Sequence, residues 1–292
     1  CPRAWVINYT NPMTVCTRAL TRVEPSLKAF GCCHEVFGTQ AHLAKVAAAE
    51  LGLTAPPPRS EIAVNVLGIN HFTFVDRASY RGQDLLALLP GYIERTAGRR
   101  ERTRAEVEAG GDWFQDLCRV KWELFTRWAI LPAAGDRHLV EFLPGFTRSP
   151  EELFRWGVIR TPVSWRVARW AEAPGIAART MAGELPFPFD ASGEEGVSQM
   201  KALLGLGDLV TNVNLENRGQ MQGLPLGAVV ETNARFARGR VEPIAAGRLP
   251  PGPAEIVARH AANQEAIVEA ALAKDVNLAF SRPTSIWTYP IE

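Results

Sequence analysis

The sequence lacks an excess of either charge, which narrows the classes of partner that the protein can attract. Its 292 residues include 32 lysines and arginines and 31 aspartates and glutamates, so the formal net charge is +1 at pH 7. Nucleic acids and anionic membrane surfaces attract proteins mainly through concentrated positive charge. We therefore expect no nucleic acid and no membrane among the partners.

Long apolar runs and paired cysteines are also missing. No segment approaches the roughly 20 apolar residues that span a bilayer, and the first residues lack the basic and apolar regions of a secretion signal. The cysteines are Cys1, Cys16, Cys32, Cys33 and Cys118, and none of them forms a CxxC pair. So few cysteines, in an odd number, are typical of a reducing compartment, and we expect a cytoplasmic protein.

A further missing feature is a GxGxxG turn at the start of the chain, which would bind the pyrophosphate of a dinucleotide at a helix N-terminus. The chain begins instead with a β-favouring run, Ala4 to Tyr9, that stops at Asn11-Pro12 before residues with helical spacing. We interpret this run as the last strand of a parallel sheet whose earlier strands are missing. Residues 1–54 are thus predicted to be the C-terminal remnant of a doubly wound, Rossmann-like α/β sheet.

A proline cluster at residues 56–58 marks a domain boundary, because it follows an alanine-rich predicted helix that proline cannot continue. Residues 61–68 and 72–81 are predicted to form an antiparallel pair of strands. A mainly helical pattern follows over 85–204, then alternating strand-like residues over 209–241 and a helix over 254–274. Residues 59–292 are therefore predicted to form an α+β domain for catalysis, substrate binding and oligomerisation.

Four short stretches place metal-binding or proton-transferring side chains beside turn-forming residues: Asn11-Pro12, Gly31-Cys32-Cys33-His34, Gly68-Ile69-Asn70-His71 and Gly135-Asp136-Arg137-His138. A thiolate and a neutral imidazole from separate stretches can share one divalent first-row metal and leave positions open for substrate oxygens. Each stretch also has a structural interpretation, as buried thiols at a helix N-terminus, a hydrogen-bonded turn, a capping aspartate or a core histidine. The residues alone leave both interpretations open.

Several motifs occur in one order along the chain. Residues 8–13 are similar to N-x-x-N-P-M, residues 31–36 to G-[LV]-C-H-x-V, and residues 68–71 to G-x-N-H. Further similar segments follow at residues 213–219, 224–225, 230–232, 247–250 and 264–271. In this order they resemble the family 4 glycoside hydrolases, which are NAD- and manganese-dependent α-glycosidases. The resemblance implies a lactate/malate-dehydrogenase-like fold.

The resemblance also implies roles for individual residues. Cys33 and His71 correspond to the metal ligands, with Mn²⁺ or another divalent first-row metal as the ion. The remaining correspondences are His34 as general acid, Asp136 as base, Asn11 as a contact to substrate and NAD, and Asn70 as a substrate contact. Members that act on phosphorylated sugars usually carry aspartate or asparagine at the position of His34. Histidine therefore implies an unphosphorylated α-galactoside, α-glucoside or α-galacturonide.

The implied chemistry differs from glycoside hydrolysis by two carboxylates. NAD takes hydride from C3 of the sugar, and the metal polarises the resulting ketone so that the base can remove the C2 proton. The glycosidic oxygen is then eliminated, water adds, and NADH returns the hydride.

Two alternatives stay open. One is a truncated, non-catalytic homologue that keeps the fold and metal binding. The other is a relative of the 2-hydroxyacid dehydrogenases, although the arginine and the His-Asp pair of that family cannot be placed in this sequence. A sheet without its earlier strands exposes an apolar edge, and the family is commonly oligomeric, so we expect a homo-oligomer.

Overall fold

The computed structural model describes residues 4–96, 103–187, 189 and 193–281. Across these ranges no helix is long and apolar enough to cross a membrane. The described strands are β1 (Trp5–Asn8), β2 (Lys28–Gly31), β3 (Ala63–Ile69), β4 (Phe72–Tyr80), β5 (Gln83–Asp84), β6 (Leu131–Pro132), β7 (Leu209–Glu216), β8 (Val229–Ala237) and β9 (Arg240–Pro243). The described α-helices are α1 (Met13–Val23), α2 (Glu35–Glu50), α3 (Leu85–Thr96), α4 (Arg104–Gly110), α5 (Arg119–Trp128), α6 (Asp136–Phe142), α7 (Pro150–Arg155), α8 (Val163–Met181), α9 (Gly196–Leu203), α10 (Pro251–Ala273) and α11 (Val276–Ser281).

The larger sheet has the strand order β1-β2-β7-β8-β9, and only the pairing of β1 with β2 is parallel. β2 joins β7 through Gly31 and Asn214, so the two segments predicted as separate domains contribute to one sheet. A side chain at Gly31 would approach Met13 Cγ to 2.8 Å and Asn214 Cβ to 2.9 Å. Glycine therefore lets α1 and β7 pack closely against the end of β2, just before the two adjacent cysteines.

Strand β2 is not predicted by the sequence pattern, and its parallel pairing with β1 corrects the interpretation of β1 as a last strand. Lys28-Ala29-Phe30-Gly31 has four residues, and neither alanine nor glycine favours a strand. Phe30 is nevertheless fully buried, with its ring 5.2 Å from that of Phe236 on β8. Packing in the sheet therefore outweighs the weak local preference.

The smaller sheet contains the predicted antiparallel pair, which is confirmed as β3 and β4 with Ile69 opposite Phe72. β5 and β6 pair with β4. The two sheets are held together where Asn233 of β8 donates to the Val64 carbonyl at 2.6 Å. The tight corner at Asn70-His71 is thereby brought to the sheet that carries β2.

A buried aromatic group anchors this corner. The Phe72 ring stacks on Phe142 with centroids 4.6 Å apart and meets Phe74 edge-on at 5.1 Å. The same core cluster contains Val257 and Ala261 of the long helix α10. The main-chain position of His71, next to Phe72, is therefore set by core packing.

Replacing Phe72 by alanine is expected to lower the free energy of unfolding by about 3–5 kcal/mol, because the cavity cannot close between packed rings. Phe72→Leu should cost less than about 1.5 kcal/mol, since it conserves most of the volume. Urea denaturation measures both values. Phe187→Ala is the matched control, because 64% of that side chain is exposed; equal losses at Phe72 and Phe187 would contradict the packing argument.

Candidate active site

Cys33 and Asn70 meet where β2 ends and the β3–β4 corner turns. Cys33 is the second residue after the end of β2 and is 5% exposed. The Asn70 side chain lies near the Cys33 sulfur, where it favours the thiolate, and its Nδ2 donates to Glu231 Oε2 at 3.2 Å. Two stretches that lie 37 positions apart in the sequence thus contribute to one polar cluster.

His71 completes the corner in a left-handed backbone conformation, with φ of 63°. Its ring stacks on that of His138, with centroids 3.8 Å apart. Burial, helped by the charge of His138, lowers the pKa of His71 to about 4. The His71 imidazole is therefore neutral near pH 7, which is the form that binds a metal ion.

Beneath these residues lies a fully buried carboxylate, Glu231 of β8. Its oxygens accept hydrogen bonds from Asn70 and, at 2.7 Å, from Asn212, which also donates to the Cys33 carbonyl at 3.1 Å. Among the described residues Glu231 has no ion-pair partner. Burial raises the pKa of Glu231. The pKa of the Cys33 thiol is also raised, mainly by burial and to a smaller extent by the negative charge of Glu231. Without a cation nearby, both shifts favour the protonated, neutral forms of Glu231 and Cys33.

This donor set fits a divalent first-row metal ion. A cation between Cys33 and His71 would favour the thiolate, use the neutral imidazole and compensate the buried charge of Glu231. Asn70 and Asn212 would hold Cys33 in place without themselves contacting the ion.

A second carboxylate, Glu35, links the cluster to helix α6. It accepts a hydrogen bond from the Gly135 amide at 3.0 Å and lies 3.4 Å from His138 Nε2. Burial opposes charge on both partners, yet the attraction of Glu35 and Glu141 raises the pKa of His138 to about 9, and that of Glu35 falls to about 2. His138 is therefore a charged ion-pair partner rather than a neutral core histidine.

Asp136 is the first residue of α6 and is only 1% exposed. Its Oδ1 accepts a hydrogen bond from the Lys121 amide at 2.9 Å, while its Oδ2 is buried with no partner among the described residues. Burial and the neighbouring Asp116 raise the pKa of Asp136, and Lys121 opposes them. A raised carboxyl pKa is typical of groups that transfer protons near neutral pH.

His34 and Asn11 follow the carboxyl ends of the parallel strands β2 and β1. His34 is well exposed, and its Nδ1 lies 2.6 Å from Glu194 Oε1. Asn11 is exposed, and its Oδ1 accepts a hydrogen bond from the Met13 amide at the start of α1. The Cys32 amide donates to the Asn8 carbonyl at 3.0 Å, which joins the two strand ends. Ligands of open α/β sheets bind at this edge.

The sequence analysis did not identify Glu35, Glu231 or Asn212 as site residues. Glu35 had a local signal, since it follows Cys33-His34 directly. The sequence signal at Glu231 was weaker: it is a charged residue within the mostly buried strand β8, and charged residues are seldom fully buried without a partner.

Replacing Glu231 by glutamine is expected to weaken Mn²⁺ binding by about 10–100-fold, the usual effect of removing a partner of a metal ligand. The amide preserves the shape, so the metal-free protein should melt at a similar or higher temperature. Isothermal titration calorimetry and thermal melting measure the two effects. Glu216→Gln, which removes a salt bridge to Arg18 instead, is the control. Unchanged Mn²⁺ affinity in Glu231→Gln would refute the role of this charge.

Comparison with known proteins identifies the family of the chain. Residues 66–282 match the family 4 glycosyl hydrolase C-terminal domain, and residues 1–49 match the family 4 glycosyl hydrolase model. The chain is 47% identical over 286 residues to the α-galacturonidase of Thermoanaerobacter italicus, covering 96% of this chain and 61% of that protein. It thus spans about three fifths of this relative.

Solved structures show the same fold. Bacillus subtilis lplD superposes with a TM-score of 0.88 at 47% identity, covering 97% of this chain and 64% of that one. A 6-phospho-α-glucosidase from gut microorganisms, in complex with NAD and Mn²⁺, has a TM-score of 0.66 at 19% identity and covers 96% and 62%. The predicted fold class, a Rossmann-like sheet with a dehydrogenase-like α+β domain, is confirmed. The chain belongs to family 4 of the glycosyl hydrolases.

Proposed function

We propose that this protein hydrolyses unphosphorylated α-galacturonides with NAD and a divalent first-row metal, Mn²⁺, as cofactors. The observation that carries the proposal is the convergence of Cys33, Asn70 and the buried Glu231, with His71 at the same corner. The Thermoanaerobacter italicus relative is named α-galacturonidase, and this name favours a galacturonide over the galactosides and glucosides that the sequence left open.

Cys33 and His71 are the proposed metal ligands, and Asn11 is the proposed contact to both NAD and substrate. When bound, the two cofactors supply a reversible hydride acceptor for C3 and a Lewis acid that polarises the C3 oxygen. The neutral imidazole of His71 and the thiolate form of Cys33 are suitable ligands for Mn²⁺. A related 6-phospho-α-glucosidase has been solved in complex with NAD and Mn²⁺, which supports the choice of these cofactors.

The chain's own residues carry the proton transfers in this proposal. Asp136 takes the C2 proton, and its raised pKa makes it a stronger base than an ordinary aspartate. His34 donates a proton to the departing glycosidic oxygen, with Glu194 holding the imidazole. Asn11 and Asn70 hydrogen-bond sugar hydroxyls. Water then adds: its oxygen bonds to C1, protonated Asp136 returns a proton to C2, and the proton that the water loses restores His34.

The non-catalytic alternative predicts metal binding without turnover. The dehydrogenase alternative predicts oxidation of a 2-hydroxyacid with net formation of NADH. A cytoplasmic location, a homo-oligomeric assembly and the boundary near residues 54–59 stay predictions.

The proposal is tested by measuring the turnover of three disaccharides that are labelled at the reducing end: an α-galacturonide, an α-galactoside and an α-glucoside. We expect hydrolysis of the α-galacturonide alone, dependent on both added NAD and Mn²⁺, with no net NADH. Activity that survives rigorous removal of both cofactors would contradict the mechanism. Metal binding with no turnover of any of the three would favour the non-catalytic homologue.

A further inference from the structure

A second group of metal-binding side chains lies next to Asp136, whose amide is 3.5 Å from Asp116 Oδ1. His42 of α2, Asp116 and Cys118 each direct one ligand atom into a common space, with these atoms within 4.8 Å of one another. We propose that they bind a divalent metal ion of borderline softness, such as Zn²⁺ or Co²⁺, at a site whose ligands are separate from Cys33 and His71. This inference does not depend on the proposed glycosidase activity.

The distance between the Cys118 sulfur and the His42 imidazole suits tetrahedral coordination. Metal–ligand bonds of about 2.0–2.3 Å place neighbouring ligand atoms roughly 3.3–3.8 Å apart. Cys118 Sγ lies 3.3 Å from His42 Nε2, and the carboxylate of Asp116 lies within 4.8 Å of both. Sulfur, imidazole nitrogen and carboxylate oxygen together favour zinc or cobalt over magnesium, calcium or manganese. Three protein ligands leave the fourth position open.

Local structure holds two of the ligands in position before any ion binds. The Cys118 amide donates to Asp116 Oδ1 at 3.0 Å, which folds Asp116-Leu117-Cys118 into a tight turn. Cys118 has a φ of 55°, a left-handed conformation that is costly for cysteine. It is 3% exposed and forms no disulfide. The strained turn therefore presents a buried sulfur to His42.

The charges around the group balance when a divalent ion is present. Ionised Cys118, Asp116 and the adjacent Asp136 carry three negative charges. Lys121, which is 1% exposed and donates to Thr39 Oγ1 at 2.7 Å, carries one positive charge. A divalent cation supplies the other two, so that no net charge is buried.

Such an ion would join two helices that border the candidate active site. His42 lies on α2, the helix that begins after Cys33-His34, and Cys118 immediately precedes α5. α5 carries Lys121, whose amide holds Asp136. The ion would therefore fix the support of the proposed base without contacting the sugar.

Cadmium titration of the full chain tests the site, because a thiolate–cadmium bond gives an ultraviolet charge-transfer band. In the Cys33→Ser/His71→Ala background, which removes the other proposed site, we expect one equivalent of Cd²⁺ with a thiolate band and release of one proton. Adding Cys118→Ser should abolish the band. His42→Gln and Asp116→Asn should each weaken binding at least about tenfold.

Cys16→Ser in the same background is the control and should retain the band, since Cys16 lies on α1. Circular dichroism verifies that every variant is folded, and His42→Gln carries the test if Cys118→Ser does not fold. A background protein that binds no Cd²⁺, or a band unaffected by Cys118→Ser and His42→Gln, would overturn the proposal. Competition by Zn²⁺ but not by Mn²⁺ is expected for the stated metal class.

Discussion

Replacing Asp136 by asparagine is expected to lower kcat for α-galacturonide hydrolysis by about 10²–10⁴-fold, the usual contribution of a positioned proton-transfer group. Asparagine can still accept the Lys121 amide hydrogen at Oδ1, so the variant should fold. Hydrolysis in deuterium oxide provides a second readout. The product of the unaltered protein should carry deuterium at C2, because the proton removed there exchanges with solvent before it is replaced.

The pH dependence follows from the direction of the Asp136 pKa. A base works when it is deprotonated, so activity falls as pH drops through that pKa. Burial, with Asp116, raises this pKa above the ordinary value of about 3.9. The acidic limb of the pH–rate profile should therefore lie at a higher pH than for an exposed aspartate, and it should disappear in any residual activity of Asp136→Asn.

Asp208→Asn is a suitable control for this experiment, since it removes a carboxylate from an exposed salt bridge with Arg235. It should leave kcat, the pH profile and the C2 deuterium content unchanged. Full C2 exchange with undiminished kcat in Asp136→Asn would show that another group is the base.

Replacing Cys33 by serine is expected to abolish Mn²⁺ binding in the millimolar range and to lower kcat/KM by at least about 10²–10³-fold. Loss of a Lewis acid removes several kcal/mol of transition-state stabilisation, and each 1.4 kcal/mol is about tenfold in rate. His71→Ala should have a similar effect. Calorimetric titration with Mn²⁺, together with steady-state kinetics, measures both losses.

The adjacent cysteine provides a closely matched control. Cys32 is also buried, at 1% exposed, but its sulfur contacts Gln199 at 3.4 Å and Tyr9 rather than Asn70. Cys32→Ser should therefore keep Mn²⁺ affinity and kcat near those of the unaltered protein. Equal losses in the two serine variants would show that the pair acts through packing rather than through a metal ion.

Local sequence patterns predicted much of the architecture. A strand-like segment at residues 61–68 and an alternating segment at residues 72–81 predicted β3, β4 and the corner between them, and the structure confirms this hairpin. The long helix α10 and the antiparallel strands β7 to β9 were predicted in the same way. These elements are long and strongly periodic, so local pattern and final packing agree.

The patterns failed where packing between distant segments decides the structure. β2 is short and contains a glycine, and it forms because Phe30 is buried against Phe236 and Gly31 fits between Met13 and Asn214. Its pairing with β7 places residues from both predicted domains in one sheet. No local signal in residues 28–31 could show either contact.

For the candidate site, the ordered motifs identified Cys33, His34, Asn70 and His71 as the residues to examine, and the family resemblance added Asp136. They could not show that Glu231 lies beneath Cys33 and Asn70, or that Glu35 pairs with His138. Charge, burial and hydrogen bonding depend on distances between segments up to 198 positions apart, as between Cys33 and Glu231. Such distances exist only once the two sheets have packed together, and packing therefore sets the electrostatics of the site.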